Sequence, residues 1–391
     1  MRHFDFLDDL ERRSLFAVAP EGFDRHGDPA LLGVALGATL YSPGTRPSLS
    51  GDAVRAAALG ATSQVWCLED SVSHSDLPAA EANVVTGLGE VAEEERLPLL
   101  FVRVRSPEQL AQLVRAAGAS AAALTGFVLP KIEPGEVGER WFEALAGASQ
   151  ALGQQVYGLP VLEHAALAWR ESRVEHLSGL RSLFDRHREQ VLSLRVGGTD
   201  LCGLFGLRRD RDTTIWDVAV VRDMLGDVVN VFGRRGDYTI SGPVWEHFQG
   251  PDRLFKPQLR ATPFAGRMRL RQQLLHDDAD ELLREVLLDR ANGFHGKTVI
   301  HPTHVAIVNT LQAVSEEEYD DAASVVAARG QGGALRSATR NKMNEVGPHE
   351  LWADQILLRA RAYGVLARPD AVVELLARGR AVADSLFSAR P

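Results

Sequence analysis

Short apolar runs recur along the chain between residues 36 and 300. Most are four to seven residues long and are apolar on both faces. That pattern is typical of strands that are buried inside a parallel sheet. The predicted strands cover residues 36–41, 64–68, 99–104, 126–129, 156–162, 192–197, 237–241 and 297–300.

Longer stretches with helical periodicity separate these runs. They are predicted at 52–60, 78–95, 107–117, 136–151, 165–187, 216–229, 265–292 and 303–314. Strands that alternate with helices become parallel strands joined by right-handed crossovers. Eight such units over roughly 265 residues predict a (β/α)8 TIM barrel, for which about 250 residues are typical. A doubly wound open sheet is the competing architecture, but it usually has fewer strands, and no glycine-rich fingerprint follows the first run.

Two regions flank the predicted barrel of residues 36–314. Residues 1–35 are expected to form an irregular N-terminal cap, and residues 315–391 a helical extension. The extension opens with Ser315-Glu316-Glu317-Glu318, a capping-box pattern. A glycine-rich joint at 329–333 then leads to a helical stretch from 348 to 389 that is interrupted near Pro369. We therefore expect the extension to be a lid attached by a hinge.

Composition narrows the classes of function. The net charge is −9 and the pI about 5.8, whereas a nucleic-acid-binding protein usually has a basic surface. No apolar run approaches the ~18 residues of a membrane span, and the acidic N-terminus is unlike a secretory signal. Cys67 and Cys202 cannot form a disulfide scaffold or a structural zinc site. We expect a cytoplasmic protein with neither nucleic acid nor membrane as a partner.

Charged and polar residues follow the ends of consecutive predicted strands. Because the carboxyl ends of barrel strands meet at one mouth, these residues are candidates for one active site. They are Glu69, Asp70, Arg103, Arg105, Lys131, Glu163, Gly198, Thr199 and Asp200.

Four of these residues are carboxylates, which would repel one another in a dry site unless a divalent cation lay between them. Oxygen ligands with few imidazoles favour Mg²⁺, or Mn²⁺, over zinc. Arg103 beside such an ion suits a bidentate grip on a substrate carboxylate or phosphate. A metal ion and an arginine facing a carboxylate-bearing substrate are the groups needed to stabilise an enolate.

Eight motifs follow one another along the chain: LYSPGTRP (40–47), CLEDSV (67–72), RVR (103–105), LPKIE (129–133), LPVLEHA (159–165), GGTDL (197–201), ISGPVW (240–245) and GFHGKTVIHPTHVAIVN (293–309). In this order they closely resemble the citrate lyase β-subunit-like, or HpcH/HpaI aldolase, superfamily over about residues 36–365. The long N-terminal region and several altered motifs resemble its divergent group, the TIM-barrel C–C bond lyases of tellurium-resistance-type stress clusters.

The resemblance implies a barrel with a C-terminal helical lid, trimers or hexamers, and Mg²⁺-dependent cleavage or formation of a carbon–carbon bond. Glu163 and Asp200 align with the family's metal-binding carboxylates, and Arg103 with the arginine that binds the substrate carboxylate. The acidic pair Glu69 and Asp70 aligns with carboxylates near the metal's waters. The substrate would be a small carboxylate, and can be an acyl-CoA or a phosphorylated compound.

Other positions complete the predicted site. Lys131 lies in a family motif and is one of only four lysines among 43 basic residues, which suggests that an ammonium group is needed there. Arg105 replaces the usual asparagine of its motif, and with Arg46 it is the alternative ligand for the substrate. Glu345 follows Lys342-Met343 where the family has a catalytic aspartate on its lid, with one extra residue before Pro348-His349. The resemblance therefore implies that Glu345 is the lid's acid/base group.

The first interpretation is thus a Mg²⁺-dependent C–C lyase or aldolase that acts through an enolate. A thioester hydrolase or another enolate-forming enzyme would use the same barrel and the same metal. A catalytically silent ligand-binding member of a biosynthetic cluster is the third alternative, although the intact pair of metal-binding carboxylates argues against it.

Overall fold

The computed structural model describes residues 1–248 and 279–387. Eight parallel strands follow one another around a barrel in chain order. Each agrees with a predicted run to within three residues, and the (β/α)8 fold is therefore confirmed. The barrel strands are Ala38–Pro43, Ser63–Cys67, Leu99–Arg103, Gly126–Leu129, Tyr157–Leu162, Leu194–Val196, Ile240–Ser241 and Lys297–Val299.

The barrel closes where its eighth strand meets its first and seventh. Lys297 is in register with Ala38 of the first strand, and an isolated bridge joins it to Gly242 just beyond the seventh. Gly296 makes this approach possible, since it has φ +66° and an added Cβ would lie 2.3 Å from the carbonyl oxygen of Gly37. A larger residue would separate the strands there.

Helices lie between successive strands, as the periodicity predicts. The predicted helix at 165–187 is two helices, and the part of the predicted helix 265–292 before residue 279 lies outside the described residues. The α-helices of the barrel are Leu49–Ala58, Leu77–Val91, Pro107–Ala117, Glu136–Leu152, Ala165–Ala168, Arg170–Arg186, Gly198–Gly203, Ala219–Phe232, Asp280–Ala291 and Thr303–Thr310; short 3-10 helices cover Gly118–Ala123, Arg188–Gln190, Ile215–Asp217 and Arg234–Gly236.

The helix Pro107–Ala117 shows why the sequence folds in this way. Ser106 accepts a hydrogen bond from the amide of Gln109, Pro107 occupies the first helical position, and Gly118 ends the helix with φ +53°. These are the preferred residues at helix starts and ends. On the preceding strand, Leu100 and Val102 pack between sheet and helices. Leu99 and Phe101 alternate with them and face the barrel interior.

The N-terminal region is more regular than predicted. Residues 1–35 contain the helices Asp9–Leu15 and Pro29–Ala35 and the strand Phe16–Val18. His3 contacts the carbonyl oxygen of Ala35, just before the first barrel strand, at 3.0 Å. The cap therefore closes the amino end of the barrel, opposite the mouth at which an active site is expected.

The C-terminal extension is joined to this cap. Its strand Val365–Leu366 pairs antiparallel with Phe16–Val18 and parallel with Val314–Ser315. The expected interruption near Pro369 lies between two helices. The extension contains the helices Glu316–Ala327, Val346–Tyr363 and Ala371–Phe387 and the hairpin strands Ala334–Arg336 and Met343–Glu345.

The predicted capping box at the start of the extension is confirmed. Ser315 accepts from the amide of Glu318, and the Glu318 side chain accepts from the amide of Ser315. Along the part of the chain that the structure describes, every helix is too short or too polar to cross a bilayer.

Candidate active site

A cavity of about 330 Å³ opens at the carboxyl ends of the barrel strands. The structure brings most of the predicted site residues to this mouth. Those that line the cavity are Asp70, Arg103, Glu163, Gly198, Thr199 and Asp200.

Glu163, directly after the fifth strand, is the most deeply buried carboxylate of the cavity, with 1% of its side chain exposed. Its Oε1 accepts from Arg103 Nη2 at 2.9 Å and from the backbone amide of Lys131 at 3.1 Å. Burial raises the pKa of Glu163 to about 7, the positive charge of Arg103 opposes that rise, and the negative charge of Asp200 adds to it. Gly197 fits only as glycine here, because an added Cβ would lie 2.2 Å from Glu163 Oε2.

Arg103, at the end of the third strand, joins three carboxylates. Besides Glu163, its Nη2 lies 2.8 Å from Glu69 Oε2 and 3.2 Å from Asp70 Oδ2. Burial by itself would lower the pKa of Arg103, but the surrounding negative charge, that of Glu163 above all, raises it. The guanidinium therefore stays charged and holds the acidic groups around the cavity.

Lys131 adopts a left-handed backbone conformation with φ +49°, which is uncommon for a residue with a side chain. This turn directs its amide to Glu163 and its ammonium to the acidic pair, at 2.7 Å from Glu69 Oε1 and 3.3 Å from Asp70 Oδ1. Burial raises the pKa of Glu69. Burial also acts to raise the pKa of Asp70, but its hydrogen bond with Glu69 and the charges of Arg103 and Lys131 lower it.

Asp200 lies in the first turn of the helix Gly198–Gly203, which follows the sixth strand. It is half-buried and faces the same cavity as Glu163. The hydroxyl of Thr199 donates to Glu246 Oε1 at 2.6 Å. Gly198 packs against Pro243, where an added Cβ would lie 2.7 Å from the proline Cβ.

Five predicted site residues do not line this cavity. Two of them, Glu69 and Lys131, form ion pairs with residues that do, and the other three have different surroundings. Arg46 makes a bidentate ion pair with Asp52, at 2.7 and 3.0 Å. Arg105 donates to the carbonyl oxygens of Leu68 and Val72 and so holds the loop after the second strand. Glu345 is exposed and ends the second strand of the hairpin in the extension.

Several further residues line the cavity and were not expected there, among them Tyr41, Cys67, Arg195 and Thr298. Arg195 has a signal in the sequence, because it is a charged residue inside the otherwise apolar run 192–197. Side chains alternate between the two faces of a strand. Arg195 is on the face that points into the barrel, because it lines the cavity.

The donor set suits a hard cation with few protein ligands. No group of three or more histidine, cysteine, aspartate or glutamate side chains is placed to hold a metal within residues 1–248 and 279–387. Mg²⁺ typically takes one or two protein carboxylates and completes its shell with water and substrate oxygens. Glu163 and Asp200 supply two such carboxylates on neighbouring strands, and their mutual repulsion is what a divalent ion would relieve. The residues present therefore fit Mg²⁺.

Solved structures of similar architecture come from the citrate lyase group. The CitE protein of Mycobacterium tuberculosis, in complex with magnesium, acetoacetate and coenzyme A, is 19% identical with a TM-score of 0.52, over 84% of this chain and 99% of that chain. A citrate lyase from Burkholderia xenovorans is 18% identical with a TM-score of 0.61, over 90% of this chain and 97% of that chain. At such identities the likeness shows the fold alone.

Sequence comparison adds the family. No protein of curated function matches this chain, but residues 30–365 match the model of one family, described as C–C bond lyases of the TIM-barrel fold. The match spans the barrel, the hairpin and the helix Val346–Tyr363, and it confirms the resemblance found in the motifs. This chain belongs to the family of carbon–carbon bond lyases with the TIM-barrel fold.

Proposed function

We propose that the protein is a Mg²⁺-dependent lyase or aldolase that cleaves or forms a carbon–carbon bond next to a carboxylate and a carbonyl group. The observation that carries this proposal is the meeting of Glu163, Asp200 and Arg103 in one cavity at the barrel mouth. Two carboxylates for a metal ion and one arginine for a substrate carboxylate are what enolate chemistry requires.

In this proposal Glu163 and Asp200 hold the ion, which when bound supplies a Lewis acid for negative charge on the substrate carbonyl oxygen. Glu163 keeps Oε2 for this purpose, because its hydrogen bonds from Arg103 and Lys131 both fall on Oε1. Arg103 binds the substrate carboxylate. Lys131 positions Glu69 and Asp70, which can move a proton at the cavity wall.

Glu345 is the second acid/base candidate, and it would act on another subunit. It does not line the cavity of its own chain, and in this proposal the lid contributes it to a neighbouring subunit of an oligomer such as the trimer or hexamer that the resemblance implies. Lys342 fixes the hairpin that carries Glu345 by ion pairs of 2.9 Å with Glu317 and with Asp321. We propose that the enzyme is cytoplasmic. Its substrates would be small carboxylates, either free or as acyl-CoA or phosphorylated compounds.

Metal binding is tested by calorimetric titration of Mg²⁺ into the wild-type protein, Asp200→Ala and Asp223→Ala. Asp223 is an exposed aspartate of the helix Ala219–Phe232 and serves as the matched control. We expect the Asp200 variant to lose Mg²⁺ binding and the control to retain it. An Asp200→Ala protein that binds Mg²⁺ as tightly as the wild type would refute the ligand assignment.

Reaction type is tested by product analysis with a panel of 2-oxo acids and acyl-CoA thioesters in the presence of Mg²⁺. Shorter carbon skeletons, or condensed ones in the reverse direction, are expected. Hydrolysed thioesters with intact carbon skeletons would instead identify a hydrolase on the same barrel. No turnover of any compound by a Mg²⁺-loaded protein would favour the silent ligand-binding alternative.

A further inference from the structure

Arg195 is a buried cation that has no anionic partner among the described residues. Its residue is 1% exposed, and it lies at the centre of the sixth strand, Leu194–Val196. Its Nη1 donates to Thr39 Oγ1 at 3.1 Å, and its Nη2 donates to Thr298 Oγ1. Its Nε has no hydrogen-bond partner in the part of the chain that the structure describes. Within the described ranges no carboxylate forms an ion pair with it.

The other buried arginines of the described residues are all neutralised. They pair with carboxylates as Arg173 with Asp227, Arg209 with Glu285 and Arg359 with Glu318. Burying a charge without a counter-ion is costly, and proteins tolerate it mainly where a ligand supplies the opposite charge. Arg195 lines the cavity of the candidate active site, so such a ligand can reach it.

The surroundings of Arg195 consist of hydrogen-bond donors. Thr39 and Thr298 are in register on the first and eighth strands, and Ser241 is in register with Arg195 on the seventh. The Ser241 hydroxyl is buried and has no hydrogen-bond partner within residues 1–248 and 279–387. The Thr298 hydroxyl accepts from Arg195 and therefore keeps its own proton to donate, while the Thr39 hydroxyl accepts from Arg195 and also lies 2.9 Å from the Ser63 hydroxyl. Four consecutive strands thus direct donors, and no acid, toward one part of the barrel interior.

The two arginines of the cavity differ in charge balance. Arg103 is surrounded by Glu69, Asp70 and Glu163. The described residues in contact with Arg195 are neutral, and they include the Tyr41 ring, whose centroid lies 5.6 Å from the Arg195 Cζ. A substrate whose single carboxylate is bound by Arg103 beside the proposed metal site would leave the charge of Arg195 unneutralised. A second anionic group on the same molecule would neutralise it.

We propose that Arg195, with Thr39, Ser241 and Thr298, forms a binding subsite for a second anionic group of the substrate. The enzyme would therefore act on a compact acid that carries two anionic groups. The second group is a carboxylate or a phosphate, which share the chemistry that this subsite recognises. This inference rests on the proposed function for the placement of the first carboxylate, and it adds the substrate class.

Matched pairs of 2-oxo acids test the subsite. 2-Oxoglutarate and 2-oxovalerate have the same carbon chain and differ in a terminal carboxylate against a methyl group, and oxaloacetate and 2-oxobutyrate form a shorter pair. Dissociation constants are measured with and without Mg²⁺ for the wild type, Arg195→Met, Arg195→Lys and Arg170→Met. Arg170 is an arginine with 81% of its side chain exposed and serves as the control.

We expect at least one diacid to bind more tightly than its monoacid partner in the wild type and the control. A hydrogen bond to a charged group is worth about 1.5–3 kcal/mol. Arg195→Met should therefore weaken the binding of the diacid by about 10- to 100-fold and that of the monoacid by less than about twofold. Arg195→Lys keeps the charge and loses the planar fork, so its affinity for the diacid should lie between those of the wild type and Arg195→Met. The 4-phosphono analogue of 2-oxobutyrate then shows which anion the subsite prefers, by its affinity relative to 2-oxoglutarate.

Stability without ligand gives a second readout. Removing an unpaired buried charge should leave Arg195→Met at least as resistant to urea as the wild type, whereas loss of a structural ion pair would lower its resistance. Equal affinities for diacid and monoacid, an equal loss for both in Arg195→Met, or a strongly destabilised variant would overturn the subsite. If Mg²⁺ fails to bind but the preference for the diacid exists and depends on Arg195, the proposed metal-dependent function is refuted while the subsite is supported.

Discussion

Outside the cavity, Lys297 is the basic residue whose substitution is expected to lower the free energy of unfolding most. Its ammonium lies 2.7 Å from Glu285 Oε1 and 2.7 Å from Asp289 Oδ2, and all three side chains are at most 1% exposed. Arg209 completes the cluster at 2.7 Å from Glu285, so two positive charges balance two negative ones. Lys297→Met keeps most of the side-chain volume but leaves the cluster with one uncompensated buried negative charge.

Breaking a buried ion pair by removing one partner costs about 3–5 kcal/mol, and we expect Lys297→Met to lose that much free energy of unfolding. The exposed pair of Arg170 and Asp223, 3.5 Å apart, supplies the control, since Arg170→Met should cost less than about 1 kcal/mol. Urea unfolding followed by circular dichroism measures both losses. A loss below about 1 kcal/mol in Lys297→Met would refute the view that the cluster depends on this lysine.

The loss should also depend on pH. Burial raises the pKa of Asp289 from 3.8 to about 6, although Lys297 opposes the rise. Between those values the native state binds more protons than the unfolded state, so the stability contributed by this group falls as pH increases through the window. Without Lys297 the pKa of Asp289 should rise further, and protonation would then relieve the excess charge. The difference between Lys297→Met and wild type should therefore be smaller below pH about 6 than above it, and an equal difference at both would contradict the electrostatic explanation.

Two further predictions concern the proposed reaction. Arg103→Lys keeps the charge but loses the bidentate fork, so the KM for the substrate should rise by about 10- to 100-fold, consistent with the loss of about 1.5–3 kcal/mol for a hydrogen bond to a charged group; an unchanged KM would show that Arg103 does not bind the substrate carboxylate. Glu345→Gln should lower kcat by about 10²- to 10⁴-fold, the usual contribution of a general acid or base, and leave Mg²⁺ affinity unchanged. Mixing Glu345→Gln with Asp200→Ala should restore part of the activity if the lid serves a neighbouring subunit, and a wild-type rate in Glu345→Gln would place the acid/base group inside the barrel.

The order of local patterns along the chain was sufficient to predict the barrel. Strand and helix signals are local, because they come from side-chain periodicity and from caps such as Ser106 and Gly118. Parallel pairing and right-handed crossovers then leave few ways to arrange eight such units. The placement of Glu163 and Asp200 in one cavity was predictable for the same reason, since a barrel gathers the carboxyl ends of all its strands at one mouth.

Tertiary structure decided which charged residue meets which. Arg46 and Arg105 lie close in sequence to cavity motifs, yet each is engaged by nearby partners, such as Asp52 for Arg46, because a long side chain turns to the acceptor within its reach. Arg195 stands out in the sequence as a charged residue inside the short run 192–197, but the sequence does not show which groups surround it. Its neighbours Thr39 and Thr298 are 156 and 103 residues away in sequence and approach it only because the closed barrel brings the first and eighth strands around to the sixth. The sequence therefore determined where the mouth of the barrel and its acidic groups lie, while closure of the barrel decided that a buried positive charge faces the same cavity.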